Sequence, residues 1–98
     1  MLFYCRFKWH SGTRAEDVRR RVLEQHEAET HPGDKIKGWY NLAGGGSGFV
    51  LLEASDAREV TEILQPYMDL LSWDVHPCYE LNYQQAIGKF RQQLQAMA

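Results

Sequence analysis

The first ten residues alternate between two kinds of side chain. Apolar residues occupy every second position, namely Phe3, Cys5, Phe7 and Trp9, and the positions between them carry Tyr4, Arg6, Lys8 and His10. Successive side chains of a strand point to opposite faces, so the pattern predicts a strand between an apolar layer and an amphipathic one. We interpret the amphipathic side as a pocket or a subunit interface.

A helical pattern follows this strand. Thr13 is predicted as the N-cap of the helix, with Glu16 completing a capping box. The run from His31 to Asp34 is predicted to end the helix, because proline removes a backbone donor. The inward stripe has residues at helical spacing: Ala15, Val18, Val22 and, as its continuation, His26.

Two strands come next, expected over residues 35–43 and 49–54, with a glycine loop at residues 44–48 between them. A phosphate-binding loop requires a helix directly after its glycines. Here a strand follows, so the loop is predicted to be a flexible hairpin that would act as a flap over a ligand.

The last part of the chain predicts a helix, a strand and a final helix. Ser55 or Asp56 caps the second helix, with Glu59 placed to answer Asp56. The strand is expected over residues 70–81, with Leu71, Trp73, Val75 and Tyr79 on one face and Asp74, His76, Cys78 and Glu80 on the other. Asn82 caps a final helix with a near-heptad apolar stripe, made of Tyr83, Ile87, Phe90, Leu94 and Met97.

This order of elements predicts an α+β fold, a ferredoxin-like βαββαβ sandwich with an extra C-terminal helix. The domain is expected over residues 1–81, and residues 82–98 form an amphipathic helix packed on it or on a partner. Two helices cover only one face of a four-stranded sheet. Since the other face mixes aromatic and charged residues, we expect two copies to close a dimeric α/β barrel.

Composition and net charge exclude some kinds of partner and indicate a compartment for the protein. The 98 residues suffice for one domain, and a net charge of −2 with a pI near 6.0 disfavours DNA, RNA and anionic membranes as partners. An RNA-recognition module has the same element order, but Leu51 stands where its third strand needs a second aromatic residue. Cys5 and Cys78 are predicted on opposite sheet faces, so we expect reduced thiols and a cytoplasmic location.

Several short stretches resemble one small bacterial family, the domain of unknown function 3303. They are MLF at residues 1–3, GW at 38–39, LLEASD at 51–56 and MDLLSWDVHP at 68–77. The resemblance covers residues 1 to about 80 and leaves the last helix outside. The family is similar to the dimeric α/β-barrel superfamily, which includes cofactor-free monooxygenases, haem-degrading enzymes, small isomerases and stress-response proteins. The resemblance therefore implies the fold of this superfamily and a range of activities, without selecting one of them.

Three charged residues form the first candidate site. Arg6, Glu53 and Asp74 are expected on one sheet face, on neighbouring strands of the ferredoxin-like order. Because a planar guanidinium suits two carboxylates, we interpret the set as a salt-bridge cluster at the dimer interface. The alternative is an anchor in which Arg6 holds a carboxylate or phenolate of a ligand.

His26 and the aromatic residues form the second candidate site. His26 is interpreted as a core-edge histidine bonded to a backbone carbonyl. The resemblance implies the alternative, a base or axial haem ligand in a cleft between helix and sheet. Aromatic residues at strand positions are more typical of a core or interface than of a ligand cage; here they are Trp9, Trp39, Tyr40 and Trp73. By resemblance to the cofactor-free oxygenases, Trp39, Asn41 and His26 would surround a phenolic substrate.

A metal site is not expected. His76 and Cys78 share one strand face, and His10 would be a third ligand, but the chain has no CxxC or HxxxH spacing. We likewise expect no bound cofactor.

The leading hypothesis is a homodimer that binds a small aromatic or hydrophobic molecule, either as a binding protein or as a cofactor-independent monooxygenase or isomerase. The alternative is a non-catalytic interaction or regulatory module whose last helix docks on a protein partner. A deep apolar pocket would favour the first hypothesis, and an exposed apolar stripe on the last helix would favour the second.

Overall fold

Four strands and three helices make up the described chain, residues 1–29 and 33–97 of a computed structural model. The strands β1 (Leu2–Trp9), β2 (Ile36–Asn41), β3 (Ser47–Glu53) and β4 (Leu71–Cys78) form one antiparallel sheet in the order β2-β3-β1-β4. The helices are α1 (Ala15–Glu27), α2 (Ala57–Leu64) and α3 (Tyr83–Met97), and short 3-10 helices span Gly33–Lys35 and Gln65–Tyr67. The predicted α+β, ferredoxin-like layout with a C-terminal helix is confirmed.

The central strand β1 has the two different faces that its sequence predicts. Phe3, Cys5 and Phe7 are at most 4% exposed and belong to the core, whereas Arg6 and Lys8 are exposed. We call the sheet face that carries Phe3, Cys5 and Phe7 the helix face, and the opposite one, which carries Arg6 and Lys8, the open face.

The core lies between the helix face and α2. Its buried apolar members come mostly from β1, β3 and α2, and they are Phe3, Cys5, Phe7, Val50, Leu52, Ala54, Val60, Leu64, Tyr67 and Leu71. Helix α1 has no buried residue, and Val18 and Val22 are only partly buried against this core. Since full burial of a large apolar side chain contributes about 1.5–3 kcal/mol, α2 is held to the sheet more strongly than α1.

The start of α1 differs from its prediction by one residue. The N-cap is Arg14 and not Thr13. The Arg14 backbone N–H donates to the Asp17 carboxylate at 3.0 Å, so Asp17 takes the role predicted for Glu16. The Thr13 hydroxyl donates instead to the Leu70 carbonyl at 2.9 Å, which ties the loop after β1 to the segment before β4.

The other two N-caps are confirmed, but the Glu59 carboxylate does not answer Asp56: it accepts a hydrogen bond from the backbone N–H of Ser55 at 3.1 Å. Asp56 accepts a hydrogen bond from the Glu59 backbone N–H at 2.9 Å at the start of α2. At the start of α3, Asn82 accepts one from the backbone N–H of Gln85 at 3.1 Å. The predicted end of α1 at His31 and Pro32 lies outside the described residues.

The glycine loop is a hairpin, as predicted, although the strands beside it differ from their expected limits. Gly44, Gly45 and Gly46 have φ angles of 97°, 81° and 79°, a region that glycine enters without steric conflict. β3 begins earlier than expected, at Ser47, and β2 ends earlier, at Asn41.

Helix α3 stands apart from the sheet domain. None of its described residues is buried, and the apolar side chains of Tyr83, Leu94 and Met97 are 73%, 69% and 83% exposed. The chain measures 58 Å along its longest axis against 30 and 19 Å along the others, an elongated outline for 98 residues. Over the described residues, most of the predicted apolar stripe of α3 is therefore exposed.

Candidate ligand-binding cleft

A cleft of about 590 Å³ lies between the helix face of the sheet and helices α1 and α2. All three tryptophans of the chain line it, and we call it the tryptophan cleft after Trp9, Trp39 and Trp73. Trp39 lies opposite Val50 in the sheet register and Trp73 lies opposite Phe7, so strand alternation places both on the helix face. The position of the tryptophans thus follows from the phase of their strands.

Helix α1 forms one wall of the tryptophan cleft. Ala15, Val18 and Val22 line it, in agreement with the inward stripe that the helical spacing predicts. These side chains are short and no residue of α1 is buried, so the helix leaves space above the sheet instead of filling it. Part of the cleft is thus the space between these short side chains and the tryptophans on the sheet.

Helix α2 and the segment after it form the opposite wall. Ile63, Leu64 and Tyr67 line the tryptophan cleft from this side. Tyr67 is 8% exposed, and its burial raises the pKa of the phenol, while the nearby Arg21 guanidinium acts in the opposite direction. Tyr67 therefore keeps its proton at neutral pH and contributes a neutral, mainly apolar surface.

A bidentate ion pair fixes α1 over the sheet. The Arg21 guanidinium donates to the two carboxylate oxygens of Asp69 at 2.7 and 2.9 Å, and also to the Pro66 carbonyl. The hydrogen bond from Arg21 lowers the pKa of Asp69, and the same bond raises the pKa of Arg21. This pair joins the middle of α1 to the segment before β4, at the edge of the tryptophan cleft.

One polar group in the lining lacks a partner. The indole Nε1 of Trp73 is shielded from solvent and has no hydrogen-bond partner within the residues that the structure describes. A buried polar group without a partner costs about 1–3 kcal/mol, and native proteins contain few of them. The chain thus keeps an unsatisfied donor in a side chain that borders the cleft.

The predicted site residues fall into two separate groups. Trp39 and Asn41 lie on β2 and line the tryptophan cleft. The second group lies on the open face, and it consists of Arg6, Glu53, Asp74 and His76. The sheet itself separates the two groups, so they do not form one site.

His26 belongs to neither group. It is exposed and lies in the last turn of α1, beyond Leu23, the last residue of this helix in the cleft lining. The helical spacing correctly predicts that Ala15, Val18 and Val22 face the sheet. It fails for His26 because the helix extends beyond the tryptophan cleft.

On the open face, the charged residues do not make the predicted three-residue cluster. Arg6 lies directly opposite Asp74 in the register, yet no ion pair joins Arg6 to Asp74 or Glu53 in the described chain. Asp74 contacts the His76 imidazole at 3.1 Å, and Glu53 contacts the Met1 amino group at 2.5 Å. The Arg6 guanidinium is exposed and has no carboxylate partner among residues 1–29 and 33–97.

An aromatic row crosses the open face beside these charges. Phe49 in β3 lies between Tyr4 in β1 and Tyr40 in β2, with ring centroids 5.2 and 4.9 Å apart. Tyr40 is 53% exposed although it belongs to this row. Tyr40 therefore belongs to the open face and not to the tryptophan cleft, whereas Trp9, Trp39 and Trp73 line the latter.

Sequence reasoning missed two contributors to the tryptophan cleft. Arg21 lies in a run of three arginines flanked by acidic residues, a pattern typical of a solvated helix face, but its side chain is only 28% exposed and is bonded to Asp69. Tyr67 follows Ile63 and Leu64 at helical spacing, a pattern that predicts a buried side chain but gives no sign of a pocket. The distance of 48 residues between Arg21 and Asp69 leaves no local sequence signal for the ion pair.

The two cysteines are free, as predicted, and lie on opposite sheet faces. Burial, together with the charge of Cys78, raises the pKa of the Cys5 thiol to about 11. Among residues 1–29 and 33–97, no group of three or more His, Cys, Asp and Glu side chains is arranged to hold a metal ion. Over the same residues, no helix has the length and apolar character needed to cross a membrane.

Comparison with known proteins identifies the family. A search of the curated proteins gives no match to this chain. The family model for the domain of unknown function DUF3303 matches residues 1–92 and so extends into α3, further than the resemblance over residues 1 to about 80. Most of α3 is thus part of what the family model describes, and the chain belongs to the DUF3303 family.

Proposed function

We propose that this protein binds a small, flat, hydrophobic molecule in the tryptophan cleft. The observation that carries the proposal is the convergence of Trp9, Trp39 and Trp73 on one open volume of about 590 Å³. Pockets for small molecules typically measure about 300–1,000 Å³ and are lined by apolar and aromatic side chains with few polar groups. Large aromatic side chains that meet around empty space favour a ligand over a core function.

The unpartnered indole N–H of Trp73 supports the same proposal. The nitrogen is shielded from the cleft as it stands, so a ligand with a hydrogen-bond acceptor would reach this donor only after rotation of the indole ring. Asn41 adds an amide to the lining. These groups can orient an aromatic molecule that carries a carbonyl or hydroxyl oxygen.

Catalysis as a cofactor-independent monooxygenase or isomerase stays a prediction that comes from the resemblance. No carboxylate and no imidazole belongs to the described lining of the tryptophan cleft. A reaction here would have to begin from a substrate that ionises easily, because the lining offers hydrogen-bond donors and not a strong base.

The proposal is tested by titrating the protein with N-phenyl-1-naphthylamine, a neutral dye whose fluorescence rises in apolar sites. Val22→Trp would fill the cleft from α1, and we expect it to weaken dye binding by about tenfold, or ~1.4 kcal/mol of binding free energy. Val75→Trp is the matched control, because Val75 lies on the helix face at the β4 edge, outside the cleft lining. Equal binding by both variants would contradict the proposal.

The open face supports a second proposal, self-association. Its aromatic row around Phe49 is partly exposed, and two of its opposite charges, Arg6 and Asp74, are exposed. A two-fold axis that passes between Arg6 and Asp74 would bring Arg6 of one copy to Asp74 of the other, so these charges can be self-complementary. The dimeric barrel would also remove Phe49 and Tyr40 from water.

We also propose that this homodimer is cytoplasmic, because its two free thiols fit a reducing compartment.

The exposure of α3 favours an alternative function, a non-catalytic interaction module. Its apolar stripe includes Phe90 and Leu94, which are 49% and 69% exposed and have no cover in the described chain. An amphipathic helix of this kind binds an apolar groove of a partner. Leu94→Glu in the whole chain separates the two functions, because it would leave dye binding in the tryptophan cleft unchanged and abolish binding that depends on α3.

A further inference from the structure

One charged side chain belongs to the described lining of the tryptophan cleft, that of Arg19 in α1. The lining is otherwise formed by apolar and neutral polar residues and includes no carboxylate from the described chain. Arg19 is exposed, so its guanidinium lies at the mouth of the cleft where α1 meets solvent. The mouth therefore carries a positive charge with no compensating negative charge in the lining.

The neighbouring arginines differ from Arg19 in having partners. Arg20 donates to Glu16 at 2.7 Å, and Arg21 is bonded to Asp69 at 2.7 Å. Arg14, the N-cap, also approaches Glu16, at 3.6 Å. Glu16 lies three residues before Arg19 and would be its natural partner on the helix surface, but two other guanidinium groups occupy it.

Arg19 itself makes no ion pair in the described part of the chain. An unpaired guanidinium beside an apolar cleft attracts an anionic group and repels a cationic one, and its planar donors match a carboxylate. A neutral ligand would gain nothing from this position. The charge at the mouth therefore discriminates between ligands whose apolar parts are identical.

We propose that the ligand of the tryptophan cleft is an aromatic carboxylate, with its ring system among the tryptophans and its carboxylate at Arg19. This inference rests on the proposed function and specifies its ligand class. The apolar lining buries the ring system, and Arg19 holds the charged end in partly solvated surroundings, so the carboxylate need not be fully dehydrated.

Three probes with one ring system test the charge preference: 2-naphthoate, 2-naphthalenemethanol and 2-naphthylmethylammonium, each titrated by calorimetry at low ionic strength. We expect wild type to bind the naphthoate about fivefold more tightly than the alcohol, in the range of a partly exposed ion pair, and the ammonium most weakly. Arg19→Gln should remove the preference, and Arg19→Glu should reverse it. The preference in wild type should shrink as salt is added, because the pair is exposed.

Arg20→Gln is the matched control, since Arg20 lies next to Arg19, carries the same charge and is absent from the cleft lining. It should keep the preference for 2-naphthoate. Equal affinity of wild type for all three probes, or equal loss of preference in Arg19→Gln and Arg20→Gln, would overturn the assignment of a carboxylate while leaving an apolar cleft that binds aromatics. If folded wild type binds none of the probes, both this inference and the proposed function fail.

Discussion

The rings of Phe7 and Trp73 lie opposite each other in the register of β1 and β4 and meet edge to face, with centroids 5.5 Å apart and an interplanar angle of 63°. Phe7 is part of the buried core and also lines the tryptophan cleft, as Trp73 does. Such aromatic pairs contribute about 0.5–1.5 kcal/mol beyond their burial. This contact couples the two regions, so a change that displaces the Phe7 ring also alters the shape of the cleft.

Gly48 is predicted to be essential for this arrangement. A Cβ atom at this position would overlap the Tyr40 carbonyl oxygen and the Phe7 ring. Gly48→Ala should therefore destabilise the protein by about 1–3 kcal/mol, the usual range for overpacking, and weaken dye binding through Phe7 and Trp73. Urea unfolding gives the first quantity and the dye titration the second.

The control for this prediction is Gly88→Ala in α3, where an added Cβ would meet no atom within 4 Å. Alanine has a higher helix propensity than glycine by about 1 kcal/mol, so this variant should be as stable as wild type or more stable. Equal destabilisation by the two substitutions would contradict the close packing described at Gly48.

Much of the fold was predictable because it depends on local periodicity. The alternation around Cys5 determines the two faces of β1. Asp56 and Asn82 each cap a helix by accepting a hydrogen bond from a residue only three positions further along the chain. The phase of β2 likewise places Trp39 in the tryptophan cleft. Thr13 was assigned wrongly as a cap because its partner, the Leu70 carbonyl, is 57 residues away.

The site was less predictable than the fold. The helical spacing that correctly directs Val22 to the tryptophan cleft also extends to His26, but it does not tell where the helix leaves the sheet. Whether a helix fills the gap above a sheet or leaves a cavity depends on its tertiary tethers, here the bond between Arg21 and Asp69. The helical period predicts which way a side chain points. It does not predict how far that side chain lies from the sheet opposite.

The bond between Arg21 and Asp69 is predicted to make stability depend on acid pH. Arg21 lowers the pKa of Asp69 in the folded state. The contribution of the pair is therefore fully present above the unfolded pKa of about 3.9 and is lost as the pH falls through the lower folded value. Asp69→Asn should melt at a lower temperature than wild type at pH 7, and the difference should shrink below pH 4.

A double-mutant cycle checks that this dependence belongs to the pair. Adding Asp69→Asn to Arg21→Gln should change the melting temperature much less than Asp69→Asn does in wild type, because the partner is already absent. Independent, additive effects of the two substitutions at pH 7 would show that the bond does not stabilise the fold. Both single variants should also weaken dye binding, since the pair holds α1 over the cleft.

The two thiols are predicted to differ in reactivity. Cys5 is 0% exposed and its pKa is raised to about 11, so it should remain a protonated, inaccessible thiol at pH 8. Cys78 is partly exposed at the end of β4 and should react first with 5,5′-dithiobis(2-nitrobenzoate). The titration should give one equivalent in the folded protein and two in urea, and Cys78→Ser should abolish the early equivalent.

The burial of Cys5 also predicts how the stability of the fold changes at alkaline pH. The thiol of Cys5 binds its proton more tightly in the folded state, so its contribution to stability is complete below the unfolded pKa of about 8.5. It is lost as the pH rises toward the folded value of about 11. Wild type should lose stability over this interval more steeply than Cys5→Ala, and parallel profiles of the two proteins would contradict the prediction.

Self-association through the open face is predicted to depend on Arg6 and Asp74, which lie opposite each other across β1 and β4. Light scattering should give twice the molar mass of the chain for wild type and a monomer for Arg6→Glu, because the substitution places four negative charges around the two-fold axis. Arg20→Glu, an exposed charge reversal on α1, should remain a dimer.

Restoring the opposite charges in Arg6→Glu/Asp74→Arg should recover the dimer, since an interface between identical faces accepts the exchanged pair. A monomeric wild type, or a dimer that Arg6→Glu leaves intact, would place the contact elsewhere, and the exposed stripe of α3 would then be the surface to vary, beginning with Leu94→Glu.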